Sequence, residues 1–209
     1  MPRVLLHPLP LRLWHWINAA CFLVLIATGI QIRYHLLTRV TFKSSVQVHN
    51  VAALALLISF VFWGGYQLWS RKLRGYVPTL NRAWVRASWL QVRYYAWGML
   101  RGDPNPHHVS LASKFNPLQQ LTYLSVLWVL LPLQIASGIL LWDPQRFSSI
   151  LSSVSGLKIV ASCHVVIFVL FVAFTIAHVY LTTLGHSPTA HIKAMYNGYE
   201  DLDDNGARH

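Results

Sequence analysis

Four stretches of this chain are long and apolar enough to cross a lipid bilayer, and they constrain its fold more than any other feature. They cover 14–32, 46–69, 121–142 and 158–184. A membrane-spanning helix needs about 20 mostly apolar residues. Only 11% of the residues are charged, against about 25% in a typical soluble domain. Because backbone polar groups must be paired inside lipid, the sequence predicts an all-α membrane protein, a four-helix bundle forming one domain over 1–209.

Basic residues between these stretches predict how the chain is oriented. Twelve Lys and Arg flank one side of the stretches and five flank the other. Because Lys and Arg are enriched in cytoplasmic loops, both termini and the connection over 70–120 are expected in the cytoplasm. The first and third connections are then expected to be periplasmic, or otherwise outside. This topology explains the net charge of +11, so no nucleic-acid partner is assigned.

The long connection mixes basic and aromatic residues from Arg82 to Leu100. This composition is typical of an amphipathic helix lying at the membrane surface, and a nucleic-acid-binding patch is the weaker alternative. In the third stretch, Pro132 is expected to kink the helix.

The two cysteines, Cys21 and Cys163, both lie inside apolar stretches. Neither belongs to a C-x-x-C or C-x-x-C-H motif, which argues against covalent haem attachment and iron–sulfur clusters. We expect both to be small buried thiols.

Two histidines in the last stretch, His164 and His178, are fourteen positions apart. On a helix this spacing covers about 21 Å and brings both imidazoles to nearly the same side. His15 and His49 begin the first and second stretches. An ionisable side chain inside a membrane is costly and suggests a function, although a single histidine could instead bond a carbonyl on a neighbouring helix.

The predicted topology pairs these four histidines. His15 and His178 share the cytoplasmic level (the inner pair), and His49 and His164 share the opposite level (the outer pair). Two histidines per level fall short of the four ligands of structural zinc, which is the weaker alternative. Haem supplies four nitrogens itself and needs two axial ligands. The sequence therefore predicts two bis-histidine b-type haems, with iron as the metal, stacked across the membrane.

Glycines occur where a porphyrin would need room. Gly29 follows His15 by fourteen positions, while Gly64 and Gly65 follow His49 by fifteen and sixteen. Each is expected at the level opposite to the histidine of its own helix. Ordinary helix packing is the alternative explanation.

The segment H-P-L-P-L-R-L-W-H-W-I-N over 7–18 resembles the opening of bacterial dihaem cytochrome b subunits of the cytochrome b561-like type. These subunits anchor formate dehydrogenases, nickel–iron hydrogenases and thiosulfate reductases. The resemblance extends to V-H-N at His49, to K-F-N-P-L-Q-Q over 114–120 and to His164 and His178, and it covers all four stretches. The tail over 185–200 looks most like the thiosulfate-reductase branch. The resemblance implies the same pairing of the four haem ligands.

The resemblance also implies a quinone site beside the inner haem. The residues that match its motif are Lys114, Phe115, Asn116 and Gln119, while Leu118 replaces a glycine of the formate dehydrogenase relatives. Asn116 could equally cap the third helix, with Pro117 at its first position.

Three further polar residues have weaker assignments. Arg12 lies one turn before His15 and could pair with a haem propionate or with a lipid headgroup. His186 and His191 follow the fourth stretch and could help move a proton, although surface positions are the simpler reading.

These features together suggest an electron-transfer subunit of a respiratory chain. Its expected partners are membrane quinone and a periplasmic oxidoreductase, either an iron–sulfur/molybdenum or nickel–iron enzyme, or a multihaem cytochrome c. One alternative is a stand-alone cytochrome b561-type enzyme that oxidises superoxide and reduces quinone. Another is a transporter or structural protein with incidental histidines.

Overall fold

The structure is a computed structural model that describes residues 3–5, 7–70, 78–107, 116–154, 156–183 and 188–201. Several residues discussed above lie outside this part of the chain, namely Lys114, Phe115, Leu184 and His186.

Helices dominate the described residues. In chain order they are α1 (Leu9–Tyr34), α2 (Phe42–Trp69), α3 (Arg82–Arg93), α4 (Met99–Arg101), α5 (Pro117–Ser125), α6 (Leu131–Trp142), α7 (Ser148–Ser153), α8 (Leu157–Thr182) and α9 (Ala190–Asn197). Two three-residue strands, β1 (Arg3–Leu5) and β2 (Tyr199–Asp201), pair with each other. Four helical runs are long and apolar enough to span a membrane: α1, α2, Pro117–Trp142 and α8. The predicted all-α fold with four spans is confirmed.

The third span is helical from Pro117 to Trp142 but not uniformly α. A π-helical turn over Val126–Leu130 separates α5 from α6 and ends two positions before Pro132. Proline cannot donate to the carbonyl four residues earlier, and its ring crowds that carbonyl. A wider turn beside it relieves this conflict, so the irregularity expected at Pro132 takes the form of a π turn.

The chain forms two compact units. The first, here called the histidine unit, comprises residues 5–66 and 133–199, and the second, the connection unit, comprises residues 1–4, 67–132 and 200–209. All four histidines of the inner and outer pairs belong to the histidine unit. The single domain expected from the sequence stays a prediction.

Aromatic rings pack at the centre of the histidine unit. Phe171 is 4% exposed and meets Phe22 edge to face, with ring centroids 5.3 Å apart. Phe171 lies seven positions from each histidine of α8, and Phe22 lies seven positions after His15. Seven residues make about two helical turns, so this aromatic contact lies midway between the levels of the two histidine pairs.

Polar contacts join α1 to α2 in the same unit. Trp14 donates from its indole nitrogen to the Ser59 carbonyl at 3.2 Å and stacks on Trp63 with centroids 5.2 Å apart. Asn18 donates to the Ser59 hydroxyl at 2.8 Å. Interhelical hydrogen bonds of this kind hold helices together in lipid, where apolar burial provides little driving force.

The C-terminal segment of the histidine unit returns to the start of α1. Trp16 donates to the Met195 carbonyl at 3.3 Å, and the Arg12 guanidinium donates to the Tyr196 carbonyl. Gly198 has φ +91°, and a Cβ there would lie 2.7 Å from the His7 carbonyl oxygen. Only glycine suits both the left-handed backbone and this close approach.

The predicted helix over 82–100 is present in the connection unit as a helical run from Arg82 to Arg101, interrupted by a π turn over Tyr94–Gly98. Asn81 caps its start by accepting from the Trp84 backbone N–H at 2.8 Å. One face packs on α5, where Trp84 donates to Gln120 at 2.9 Å. The opposite face is exposed, as an amphipathic helix requires.

The expectation of two buried thiols is wrong for Cys163. Its side chain is exposed, while Cys21 is half-buried. Cys163 is adjacent to His164 on α8, and consecutive helical residues are rotated by about 100°. With His164 turned inward, Cys163 faces away from the other helices.

Candidate metal centres

The inner pair is brought together by the two helices that carry it. His15 lies near the start of α1 and His178 near the end of α8, and their ring centroids are 6.1 Å apart with an interplanar angle of 49°. Two metal–nitrogen bonds of about 2 Å and two ring radii of about 1.1 Å would place the centroids about 6 Å apart across one metal ion. The inner pair therefore has the separation of two axial ligands.

Aromatic rings orient the inner pair. Trp16 meets His15 edge to face at 5.2 Å, and Phe174 stacks on His178 at 5.8 Å with an interplanar angle of 21°. Nδ1 of His15 is buried and has no hydrogen-bond partner among the described residues. Packing rather than hydrogen bonding fixes the direction of the His15 imidazole.

The outer pair has a different environment. His49 lies near the start of α2 and His164 near the start of α8, close enough for their rings to interact electrostatically. Nδ1 of His49 is 2.8 Å from the Thr28 hydroxyl, and Nδ1 of His164 is 2.8 Å from the Ser137 hydroxyl. The rings of the inner pair thus lie 6.1 Å apart and those of the outer pair lie within electrostatic range, in agreement with the topology, whereas the ligand role of the four histidines stays a prediction.

Glycines lie directly against the outer pair. A Cβ added at Gly29 would meet His49 Cε1 at 3.8 Å, and one added at Gly138 would meet His164 Cε1 at 3.4 Å. Gly29 is therefore at the outer level, as expected. A Cβ at Gly64 or Gly65 would meet nothing within 4 Å, so both leave bare backbone without touching a histidine.

The donor set fits haem better than a metal held by protein alone. Within the described ranges, no three His, Cys, Asp or Glu residues are close enough to hold a metal ion. Structural zinc needs four protein ligands, whereas haem iron needs only axial ones. Two separated imidazole pairs, of which the outer one is flanked by glycines, match the requirement of haem.

Asn116 has a clear structural role in the connection unit. It is 5% exposed and caps α5: its side-chain oxygen accepts from the Gln119 N–H at 2.8 Å, and its own N–H donates to the Gln119 side chain at 3.0 Å. Pro117 occupies the first helical position. The Asn116 amide nitrogen also donates to the Tyr95 hydroxyl at 3.2 Å. The capping alternative is confirmed, and the quinone role of Asn116 and Gln119 stays a prediction.

Arg12 lies against the C-terminal segment. One guanidinium nitrogen donates to the Tyr196 carbonyl, while Nε is buried and has no hydrogen-bond partner in the part of the chain that the structure describes. Pairing with a haem propionate stays a prediction, and the Nε–H is one of the guanidinium donors that such a pair could use.

Sequence reasoning found Gly29 but missed the other residues that contact the outer pair, Thr28, Ser137 and Gly138. Thr28 precedes Gly29, and Ser137 precedes Gly138, so a hydroxyl–glycine dipeptide occurs within each apolar helix that faces an outer histidine. Polar residues inside membrane segments are unusual enough to suggest a role. This repeated dipeptide is the signal that could have found the three residues that were missed.

Comparison with known proteins agrees with this geometry. Residues 6–198 match the family described as prokaryotic cytochrome b561. The chain is 32% identical over 199 residues to the Escherichia coli K12 protein named "Putative cytochrome YdhU", covering 94% of this chain and 74% of that protein. No solved structure matches the chain significantly.

The match to nearly the whole chain defines its class. The chain belongs to the prokaryotic cytochrome b561 family. It is therefore a multi-pass membrane cytochrome that binds b-type haem and takes part in electron transfer across the membrane.

Proposed function

We propose that this chain is a dihaem membrane subunit in which the inner pair holds one b-type haem and the outer pair holds a second. The observation that carries this proposal is the arrangement of two imidazole pairs near opposite ends of one membrane helix. His164 and His178 are fourteen residues apart on α8 and each faces a histidine of another helix. Fourteen residues span about 21 Å of a hydrocarbon core about 30 Å thick.

A bound b-type haem supplies one-electron chemistry at its iron, tuned by the axial ligands and their surroundings. The protein's own residues perform the remaining tasks. The four imidazoles would hold the haem irons, and Gly29 and Gly138 leave space beside the outer pair. Trp16 and Phe174 pack against the inner imidazoles and orient them.

We further propose that the electrons pass between quinone on the cytoplasmic side and a redox enzyme or cytochrome on the periplasmic side. This orientation, in a bacterial inner membrane with both termini in the cytoplasm, is supported by the excess of Lys and Arg on one side of the spans. In this orientation the outer pair lies toward the partner and the inner pair toward the quinone.

Asn116 can serve a quinone without losing its capping role. A primary amide has two N–H donors and an acceptor oxygen. The oxygen is engaged with the Gln119 N–H and one donor with the Tyr95 hydroxyl. The second donor can bond a quinone carbonyl. Replacing Asn116 should therefore impair quinone reduction while both haems remain bound.

Capture of the intact complex tests the proposed partner. The chain is solubilised gently from native membranes and purified, and molybdenum, nickel and iron are measured per b-type haem. Molybdenum or nickel with iron in excess of haem is the expected result and identifies the class of enzyme. A cytochrome c that co-purifies would also support the proposal. A red protein that arrives alone, with two irons per chain, would contradict the subunit role and favour the stand-alone quinone reductase.

A further inference from the structure

Two hydroxyl groups from different helices make the same contact with the outer pair. The Thr28 hydroxyl on α1 lies 2.8 Å from Nδ1 of His49, and the Ser137 hydroxyl on α6 lies 2.8 Å from Nδ1 of His164. Such a bond has two possible directions, because a hydroxyl can donate or accept and a neutral imidazole nitrogen can do either.

The hydroxyl hydrogens decide the direction. The Thr28 hydroxyl donates its single hydrogen to the Val24 carbonyl at 2.6 Å, and the Ser137 hydroxyl donates to the Leu133 carbonyl at 2.8 Å. Each hydroxyl oxygen is therefore left as an acceptor toward the imidazole. It follows that His49 and His164 carry their hydrogen on Nδ1, and that the lone pair of each ring is on Nε2.

A second contact agrees with this assignment at His164. The Gln134 amide nitrogen lies 3.2 Å from Nε2 of His164. The amide nitrogen placed there carries hydrogens to donate, which agrees with Nε2 as the accepting nitrogen. The same lone pair is the one a metal ion would use.

We propose that Thr28 and Ser137 are positioning residues that hold the outer imidazoles in the Nδ1–H form and lower the midpoint potential of the outer haem. This inference rests on the proposed function, in which the outer pair ligates that haem. A hydrogen bond from the distal N–H of a ligating histidine fixes its tautomer and raises its basicity. A more basic ligand stabilises ferric over ferrous iron, which makes reduction less favourable.

The inner pair provides an internal comparison. Nδ1 of His15 is buried and has no hydrogen-bond partner among the described residues. The inner haem therefore lacks this polarisation at His15, and changes at Thr28 or Ser137 should leave its potential unchanged.

The test is the midpoint potential of each b-type haem in the purified full chain, measured by optical spectroelectrochemistry. Thr28→Val and Ser137→Ala remove the acceptor with little change in volume. We expect each to favour reduction of the outer haem about tenfold, an upward shift of about 59 mV for a one-electron couple. Thr28→Ser and Ser137→Thr keep the hydroxyl and should restore the wild-type potential.

Thr122→Val is the matched control. The Thr122 hydroxyl also donates to a carbonyl of its own helix, that of Leu118 at 2.8 Å, but it is on the exposed surface of α5 and bonds no histidine. Its removal should leave both potentials unchanged.

Unchanged potentials in both Thr28→Val and Ser137→Ala would overturn the inference, as would equal shifts of the two haems. Thr28→Val could instead lose the outer haem. If Thr28→Ser then keeps it, the hydrogen bond is needed to present Nε2 and the inference stands; if Thr28→Ser loses it too, packing is responsible and the inference fails. The proposed function fails separately, if the wild-type chain binds one b-type haem or if His49→Ala keeps both.

Discussion

Replacing Asn116 by alanine is expected to destabilise the start of the third span by about 2 kcal/mol. Losing the cap that accepts from the Gln119 N–H costs about 1 kcal/mol. Losing the hydrogen bond to the half-buried Tyr95 hydroxyl costs about another 1 kcal/mol. The assay is reversible unfolding in mixed detergent micelles, with hydrogen exchange of the first turn of α5 as a local measure.

Asn81→Ala is the matched control for this prediction. Asn81 caps α3 through the same contact, accepting from the Trp84 N–H at 2.8 Å, but it is exposed and bonds no tyrosine. Its loss should cost about 1 kcal/mol. A double-mutant cycle of Asn116→Ala with Tyr95→Phe should give a coupling energy of about 1 kcal/mol. If Asn116→Ala costs no more than Asn81→Ala and the cycle shows no coupling, the structural reasoning is refuted.

Three further changes test the histidine unit. Gly138→Leu should abolish the absorption of the outer haem, because even the Cβ of the new side chain would lie 3.4 Å from the His164 ring. Ala136→Leu, on the exposed side of the same helix, should retain that absorption. Phe171→Ala should lower the free energy of unfolding in micelles by about 3 kcal/mol, since the ring is 4% exposed and leaves a cavity; a loss below 1 kcal/mol would contradict this. Trp16→Phe removes one hydrogen bond to the C-terminal helix and should increase hydrogen exchange in α9, with unchanged exchange as the contrary result.

The four spans were predictable because each depends on one local property. Length and apolar composition are averages over about 20 residues, and lipid enforces helices wherever such stretches occur. The ends were less predictable: α1 begins at Leu9 rather than Trp14, and the third span begins at Pro117 rather than Leu121. A proline in the first turn, together with Arg12 in α1 and Gln119 and Gln120 in α5, conceals these starts, although the Asn116–Pro117 pair marks the start of the third span.

The histidine pairing was also predictable, because a fixed rise per residue turns spacing along a helix into depth. The partners of the outer histidines were not found, since Thr28 and Ser137 become neighbours of His49 and His164 only through the rotation of one helix against another. Sequence patterns give the depth of a residue but not the direction in which its helix faces the bundle. The predicted burial of Cys163 was wrong for the same reason, because an apolar stretch alone does not distinguish the inward face of a helix from the lipid-facing one.

The number of b-type haems per chain, measured optically with iron analysis in the wild type and in single histidine variants, tests the central claim most directly. We predict two haems in the wild type and one in each of His15→Ala, His49→Ala, His164→Ala and His178→Ala. His15→Ala and His178→Ala should lose the spectroscopic component of the inner haem. His49→Ala and His164→Ala should lose that of the outer haem. A single haem in the wild type, or loss of the same component in His15→Ala and His49→Ala, would contradict the two paired sites.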